Sequence, residues 1–576
     1  MERLKGIGAV AKTVIGNIKR VSNDLTGYLT GYLQETPEQE KEKLLTALEQ
    51  ADEQLSRMIE GAAARGNSEH AAILEAHRTM LADPALQEAV LQKLKDGEGA
   101  PQAMLAVAEQ YAAMLSALDD LYLQERAADV LDVGRRVARI LLKADTGADG
   151  GQNIILCAKD IEPSLLAEPG GAAVQGLILG HGSTTSHAVI IAKAKGLATV
   201  VGIDDLSQLI DGIEVVLDGK NGEILIAPST EIRSFYLEKI KGEQELLAAQ
   251  MKQAGEPAVT LDGVRIQLAA NISVPEDMKK ALEFGCEGVG LYRTEFLFMG
   301  KKLPPGEDEQ TELYRQVVQQ CKQALCIIRT MDIGGDKPLD YLNIGEEDNP
   351  FLGWRAIRIS LERSDLFLTQ LKAILRAGIY GKAAIMLPMI ISADEIRRAK
   401  VFVAQAADEL EREGKEFARD VPLGIMIETP AAAVMAPLLA RECDFFSIGT
   451  NDLVQYTLAV DRGNARVSRL YSHYHPSVLR LIDGVIRAAH DSGIWAGMCG
   501  EMAGDPGAAV LLAAMGIDEL SMSAASIPKV KEQIRRIDLR NAAELLQQVY
   551  ELDDAEEIEK TVQKAVDRQT TSTQAK

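Results

Sequence analysis

The sequence predicts an α/β multidomain protein that ends in a (β/α)8 TIM barrel, and three observations carry that expectation. Residues 36–145 are long Ala, Leu, Glu, Lys and Gln stretches with almost no Gly or Pro inside them, a texture that favours helices. From 151 to about 230 the texture turns to short β-rich runs separated by Gly, Pro and Ser, as expected of a compact α/β unit. Beyond that, eight short apolar runs recur with amphipathic helical segments between them, and eight β/α units in about 280 residues is the arithmetic of such a barrel.

Taken in order, Thr36-Pro37-Glu38-Gln39 opens the helical part with an N-cap, a Pro at the first helical position and early acids. Asp83-Pro84 and Gly97-Glu98-Gly99-Ala100-Pro101 then read as turns, so helical hairpins are the simplest arrangement. Asn153–Cys157 and Gly176–Leu179 read as strands, and Ile213–Ile226 as strand, turn and strand around Asp218-Gly219-Lys220-Asn221-Gly222. A charged helical pattern follows over about 230–252.

The barrel runs are Arg265–Ile272, Gly288–Leu297, Ala324–Asp332, Ala383–Ile390, Leu423–Thr429, Phe445–Asp452, Ile494–Gly500 and Glu519–Ser523. Asn271, Arg293, Arg329, Glu428, Asn451, Asp452 and Cys499 sit at or near their carboxyl ends, the rim where this fold places active sites. An open sheet with satisfied polar strand ends is the competing reading. The last residues, 567–576, are polar and aperiodic and predict a disordered tail.

The 576 residues carry 62 Lys+Arg against 85 Asp+Glu, a net charge of −23, which argues against a nucleic-acid binder. Aromatics at 4% leave little for base stacking. The apolar stretch 431–440 is too short to span a bilayer, and Lys12 and Lys19 interrupt the N-terminal apolar run. Six scattered cysteines fit neither a zinc knuckle nor a CxxC motif. A cytoplasmic protein with reduced thiols and no membrane insertion is expected.

Two constellations carry chemistry. In His181-Gly182-Ser183-Thr184-Thr185-Ser186-His187, small hydroxyl residues precede an apolar segment with Gly196 near its end, which places His187 at a helix N-terminus. Free amides there can hold phosphate oxygens, and a neutral imidazole can take and release a phosphoryl group. The same spacing fits a His that merely caps its helix, and His181 is an alternative donor. On the barrel, Arg293, Arg329 and Arg355, the carboxylates Glu428 and Asp452 and the amide of Asn451 describe a site for a small, doubly anionic phosphate ester. Arginine forks bind such oxygens bidentately, and a carboxylate pair with open positions suits Mg2+. Each Arg alone would equally fit a surface ion pair. Cys499, at a strand end, could deliver a proton to carbon or be a buried small hydrophobe.

At these residues the chain resembles enzyme I of the bacterial phosphoenolpyruvate-dependent phosphotransferase system. The strings carrying the likeness are Gly288–Leu297, Arg329–Lys337, Asn349–Arg358, Glu428–Ala432, Asp444–Leu453, Ala459–Asn464 and Gly497–Glu501, with Glu125–Val130 and Thr185-Ser186-His187 in the N-terminal half. The resemblance implies autophosphorylation of His187 by phosphoenolpyruvate with Mg2+, release of pyruvate, and transfer to a His of the small phosphocarrier HPr. It implies that Arg293, Arg329, Arg355, Asn451 and Arg462 bind phosphoenolpyruvate, that Glu428 and Asp452 bind the metal, and that Cys499 protonates the enolate.

The resemblance also implies the domain plan. Residues 1–35 and 146–230 would form an α/β phosphohistidine domain that swivels, with the helical HPr-docking domain 36–145 inserted in it. A linker helix, 231–255, would lead to the phosphoenolpyruvate-binding barrel, 256–566, which would also make a homodimer. The chain departs from the family pattern near His187: Gly180 and Thr184 stand where its Asp and Arg are usual, and Leu166 where a Thr hydrogen-bonds the active His. The usual Ser-Pro-Gly is missing from 5–16. Pyruvate phosphate dikinase and phosphoenolpyruvate synthase share these units but need a nucleotide-binding module for which the chain has no motif and no room. A phosphoenolpyruvate-sensing relay or binding module with a non-standard acceptor is the alternative from a different class.

Overall fold

The computed structural model describes residues 2–10, 12–21, 25–64, 68–116, 121–142, 153–159, 161, 174–180, 189, 192, 195–299, 301, 303–334, 339–342, 345, 347–462, 464 and 466–574. They fall into two units, Met1–Glu245 and Leu246–Lys576.

In the first unit, β3 (Thr13–Arg20) is the centre of an eight-stranded sheet among the described residues. It pairs in parallel with β4 (Ile154–Ala158) and antiparallel with β7 (Glu214–Asp218). The order is β1-β8-β7-β3-β4-β5-β6-β2, with β5 Val174–Leu179, β6 Ala198–Val201 and β8 Glu223–Ile226. β1 (Glu2–Lys5) pairs with β8, whereas β2 (Ile7–Val10) pairs with β6 at the other edge. One continuous segment therefore supplies both edge strands of the sheet. The handover falls at Gly6, where a Cβ would lie 2.5 Å from the Val201 carbonyl oxygen.

Helices enter between β3 and β4: α1 (Thr26–Thr30), α2 (Pro37–Ala64), α3 (Ser68–Leu81), α4 (Pro84–Lys95), α5 (Ala100–Ser116) and α6 (Leu121–Leu142). Asp83 caps α4 through the Ala85 amide at 2.8 Å, with Pro84 at its first position. Their core is aliphatic, with Leu44, Leu55, Val90, Met104, Val107 and Val137 almost fully buried. α5 and α6 approach closely at Gly134, where a Cβ would lie 2.4 Å from that of Ala108. The helix Thr230–Lys252 occupies the charged stretch after β8.

The second unit holds a closed parallel barrel, β9 (Gln267–Ile272), β10 (Val289–Arg293), β11 (Leu325–Arg329), β12 (Lys382–Leu387), β13 (Leu423–Ile427), β14 (Phe445–Ile448), β15 (Trp495–Met498) and β16 (Glu519–Met522). β16 closes the ring on β9, from Glu519 opposite Gln267 to Met522 opposite Ala270. Each strand lies within the apolar run predicted for it, apart from Lys382, one residue before its run. The competing open sheet is excluded. Strand alternation divides the core: Leu291, Ile327, Met386, Met426 and Phe445 fill the lumen, while Tyr292, Ile328, Ile385, Ile427 and Phe446 pack outward under the helices. Phe445 stacks on Trp495 with ring centroids 4.7 Å apart. Gly424 makes room for it, since a Cβ there would lie 2.4 Å from the ring.

Two differences from the sequence reading stand out. β1, β2, β3 and β6 were not read as strands. Within the stretch 567–576, expected as a disordered tail, the helix Ala555–Gln574 continues to 574. Buried Ile558 and Val562 anchor that helix, and once nucleated each further residue adds a hydrogen bond. Among the described residues, no helix is long and apolar enough to cross a membrane.

Candidate active site

The carboxyl ends of the barrel strands bring most of the predicted residues together. Asn271 is next to last in β9, Arg293 ends β10, Arg329 ends β11, and Glu428 and Cys499 each follow the last residue of β13 and β15. Asn451 and Asp452 lie in the first turn of the helix Thr450–Leu458 after β14. Arg355 comes from the segment between Pro350–Leu352 and Ile357–Glu362. Arg462 is exposed on the loop beyond Leu458. His187, His181, Thr184 and Leu166 lie outside the described residues.

Two of the guanidiniums are buried and share one acceptor. Arg329 donates to Glu295 Oε1 at 2.5 Å and to Asp332 Oδ2 at 3.1 Å. Arg355 donates to the other oxygen, Asp332 Oδ1, at 2.9 Å, lies 3.5 Å from Asp452 Oδ2 and donates to Tyr456 Oη at 3.0 Å. The Nε atoms of both arginines are buried without a hydrogen-bond partner. Such donors are costly unless something accepts from them. Two cationic forks with donors to spare, fixed by one carboxylate, suit a phosphate or carboxylate oxygen.

The backbone explains how Arg355 reaches that place. Ala356 donates its amide to the Ile333 carbonyl at 2.8 Å, which packs 331–334 against 353–356. Gly334 takes φ +101°, and a Cβ there would lie 2.6 Å from the Cβ of Arg355. Only glycine tolerates both demands.

Glu428 is held at the strand-to-helix junction by its neighbour. Thr429 caps the helix Pro430–Leu439 through the Ala432 amide at 3.0 Å and donates to the Ile390 carbonyl at 2.9 Å. Glu428 Oε1 accepts the Met389 amide at 2.6 Å, and Met389 is a non-glycine residue at φ +57°. That left-handed conformation is costly and persists because the surroundings enforce it. Burial, then Asp452 and Asp332, push the Glu428 carboxyl up to about 8 against the pull of Arg329 and Arg355. The excess of negative charge is what a hard dication relieves, so Glu428 and Asp452 fit Mg2+ with water and substrate oxygens as its remaining ligands.

Cys499 is 3% exposed. Burial pushes its thiol up to about 11, with Ser447, Arg329 and Arg293 drawing it down, so it holds its proton at neutral pH. Its backbone is pinned: the Cys499 carbonyl accepts from Asn271 Nδ2 at 2.9 Å, and Asn271 Oδ1 accepts from Ser521 at 2.6 Å. Asn451 Oδ1 accepts the Glu501 amide at 2.9 Å, and Tyr471 donates to the Asn451 carbonyl at 3.0 Å.

Sequence reasoning did not single out Asp332, Glu295 or Tyr456. The signal was present for the first two, because Asp332 lies three residues after Arg329 and Glu295 two after Arg293, within reach of the same rim. For Tyr456 the sequence carries none.

Comparison with known proteins bears on the whole chain. Residues 5–126 match the N-terminal region of PEP-utilising enzymes, 150–222 their mobile domain and 248–539 their PEP-binding domain. A phosphoenolpyruvate-protein phosphotransferase of Priestia megaterium is 41% identical over 97% of this chain and 98% of its own length. One of Haemophilus influenzae is 44% identical over 89% of this chain and 90% of its own. A solution structure of an Enzyme I protein is 30% identical over 42% of this chain and 99% of its own, at a TM-score of 0.35. With its barrel rim built as described and relatives of this identity aligned over most of both chains, the chain belongs to the PEP-utilising enzymes, within the phosphoenolpyruvate-protein phosphotransferase family.

Proposed function

We propose that the protein takes the phosphoryl group of phosphoenolpyruvate onto His187, releases pyruvate, and passes the group to a histidine of an HPr-type phosphocarrier. The observation that carries this reading is the pair of buried arginines sharing Asp332 beside Glu428 and Asp452, in a chain whose relatives are named for this reaction. Arg293, Arg329, Arg355, Asn451 and Arg462 hold the substrate's phosphate and carboxylate. Glu428 and Asp452 hold Mg2+, which when bound neutralises charge on the phosphoryl oxygens. Cys499, protonated and inside the lumen, gives its proton to C3 as pyruvate forms.

The same reading has the barrel form a homodimer. The helix Pro430–Leu439 exposes Val434 at 70%, Leu438 at 48% and Met435 at 37%, an apolar stripe that a second copy would cover. Incubation with labelled phosphoenolpyruvate and Mg2+ is expected to label the protein in an acid-labile form, and His187→Ala to abolish the label. Labelling that persists in the variant would overturn the assignment. The Gly180, Thr184 and Leu166 departures favour a second reading, a binding module: wild-type protein would then bind phosphoenolpyruvate yet stay unlabelled.

A further inference from the structure

β14 and β15 run side by side with Ser447 opposite Gly497 and Ile448 opposite Met498. Side chains on strands alternate, so Trp495, Gly497 and, just past the strand, Cys499 share the lumen face. Phe445 stacks on Trp495, which places Ser447, two residues along from it, on that same face. Ser447 therefore sits one layer below Cys499, across from a glycine that puts no side chain between them. Ser447 is completely buried, and its Oγ makes no hydrogen bond of full geometry with its neighbours. A hydroxyl left in that condition is costly, and the group it acts on is the Cys499 thiol, which it draws down. The Cys499 sulfur lies 3.8 Å from the Ile448 carbonyl, the residue next to Ser447. The other charged groups acting on this thiol are Arg329, Arg293 and Glu428.

We propose that Ser447 is a positioning residue for the protonation step, its hydroxyl rotating to donate a hydrogen bond to Cys499 Sγ once that sulfur has given up its proton. This rests on the reading of Cys499 as the proton donor. In the step, the electron pair of the enolate C2–C3 double bond forms the new C3–H bond and the S–H bond breaks. Its pair stays on sulfur as the thiolate, and water returns a proton after pyruvate leaves. A pair on the enolate oxygen becomes the second bond of the C2 carbonyl, and the step involves no net oxidation or reduction. A hydroxyl rotor needs no backbone movement, so it is idle while the thiol keeps its proton and engages when charge appears, the condition for stabilising only the later state.

The test uses full-length protein with Mg2+ and follows a single turnover of phosphoenolpyruvate to pyruvate. Ser447→Ala is expected to lower the maximal rate about tenfold with the half-saturating phosphoenolpyruvate concentration changed by less than about twofold. Ser447→Thr, which keeps the hydroxyl, should recover most of the rate. A wild-type rate in Ser447→Ala overturns the inference, and so do equal deficits in the Ala and Thr variants, which would indicate packing alone. Cys499→Ala separates the two assignments. If it is slow while Ser447→Ala is unimpaired, only the role of Ser447 falls; if it runs at the wild-type rate, the role of Cys499 falls and that of Ser447 with it.

Discussion

Asp332 accepts from two guanidiniums at once, which makes it the residue on which the geometry of both depends. Replacing it with Asn keeps the shape but removes the charge between two buried cations, and breaking such a pair is far more damaging than never having it. Asp332→Asn should therefore weaken phosphoenolpyruvate binding at least about tenfold, some 1.4 kcal/mol, measured by calorimetric titration of the full chain. Unchanged affinity would mean that the ligand does not depend on this pair. The site was legible in sequence where a charged residue ends a strand, as Arg293 and Arg329 do. It was illegible where meaning comes from a contact: Asp332 reads as one more acid until the loop with Arg355 folds over it, and Ser447 as one more small strand residue.

Among the elements, the inserted helices depend on a carboxylate at their start. Glu40, 1% exposed, accepts from the Ala100 amide at 2.6 Å, the Glu35 amide at 3.0 Å and the Tyr32 hydroxyl at 2.9 Å, so one side chain of α2 caps the first turn of α5. Burial pushes it up, but these donors and Lys43 outweigh that and hold it below its ordinary 4.5. Because the folded form binds its proton less readily than the unfolded one, the stabilisation is full above pH 4.5 and is lost as pH falls below it. Glu40→Gln should lower helical stability by about 1–3 kcal/mol at neutral pH and flatten the acid limb of the melting profile. Circular dichroism against pH checks both.

The barrel strands were legible because each is an apolar run bounded by amphipathic helices. β1 to β3 were not, since Glu2, Arg3, Lys5, Lys12, Lys19 and Arg20 interrupt them. Their burial is supplied by partners more than a hundred residues away in sequence, such as β4 and β8. Strand preference of that kind is set by context rather than by local composition.

For the molecule as a whole, the net charge of −23 predicts how it meets a protein partner. A phosphocarrier with a basic face would be drawn in by long-range attraction, and raising salt should slow association more than it speeds dissociation. Stopped-flow phosphoryl transfer at increasing ionic strength should show a falling rate; a salt-independent rate would remove electrostatic steering from the account.

The ring closure between β16 and β9 has a further consequence, for the order in which the protein is made. Glu519 pairs with Gln267, 252 residues earlier, so a nascent chain can present Arg329, Arg355 and Glu428 long before the last strand has emerged. Until residues 519–522 are available, β9 and β15 are both open edges, and the lumen that buries Cys499 lacks a wall. Closure of the wall around the rim thus waits for the last strand, and a chain released before it is expected to carry the residues of the rim without the barrel that holds them.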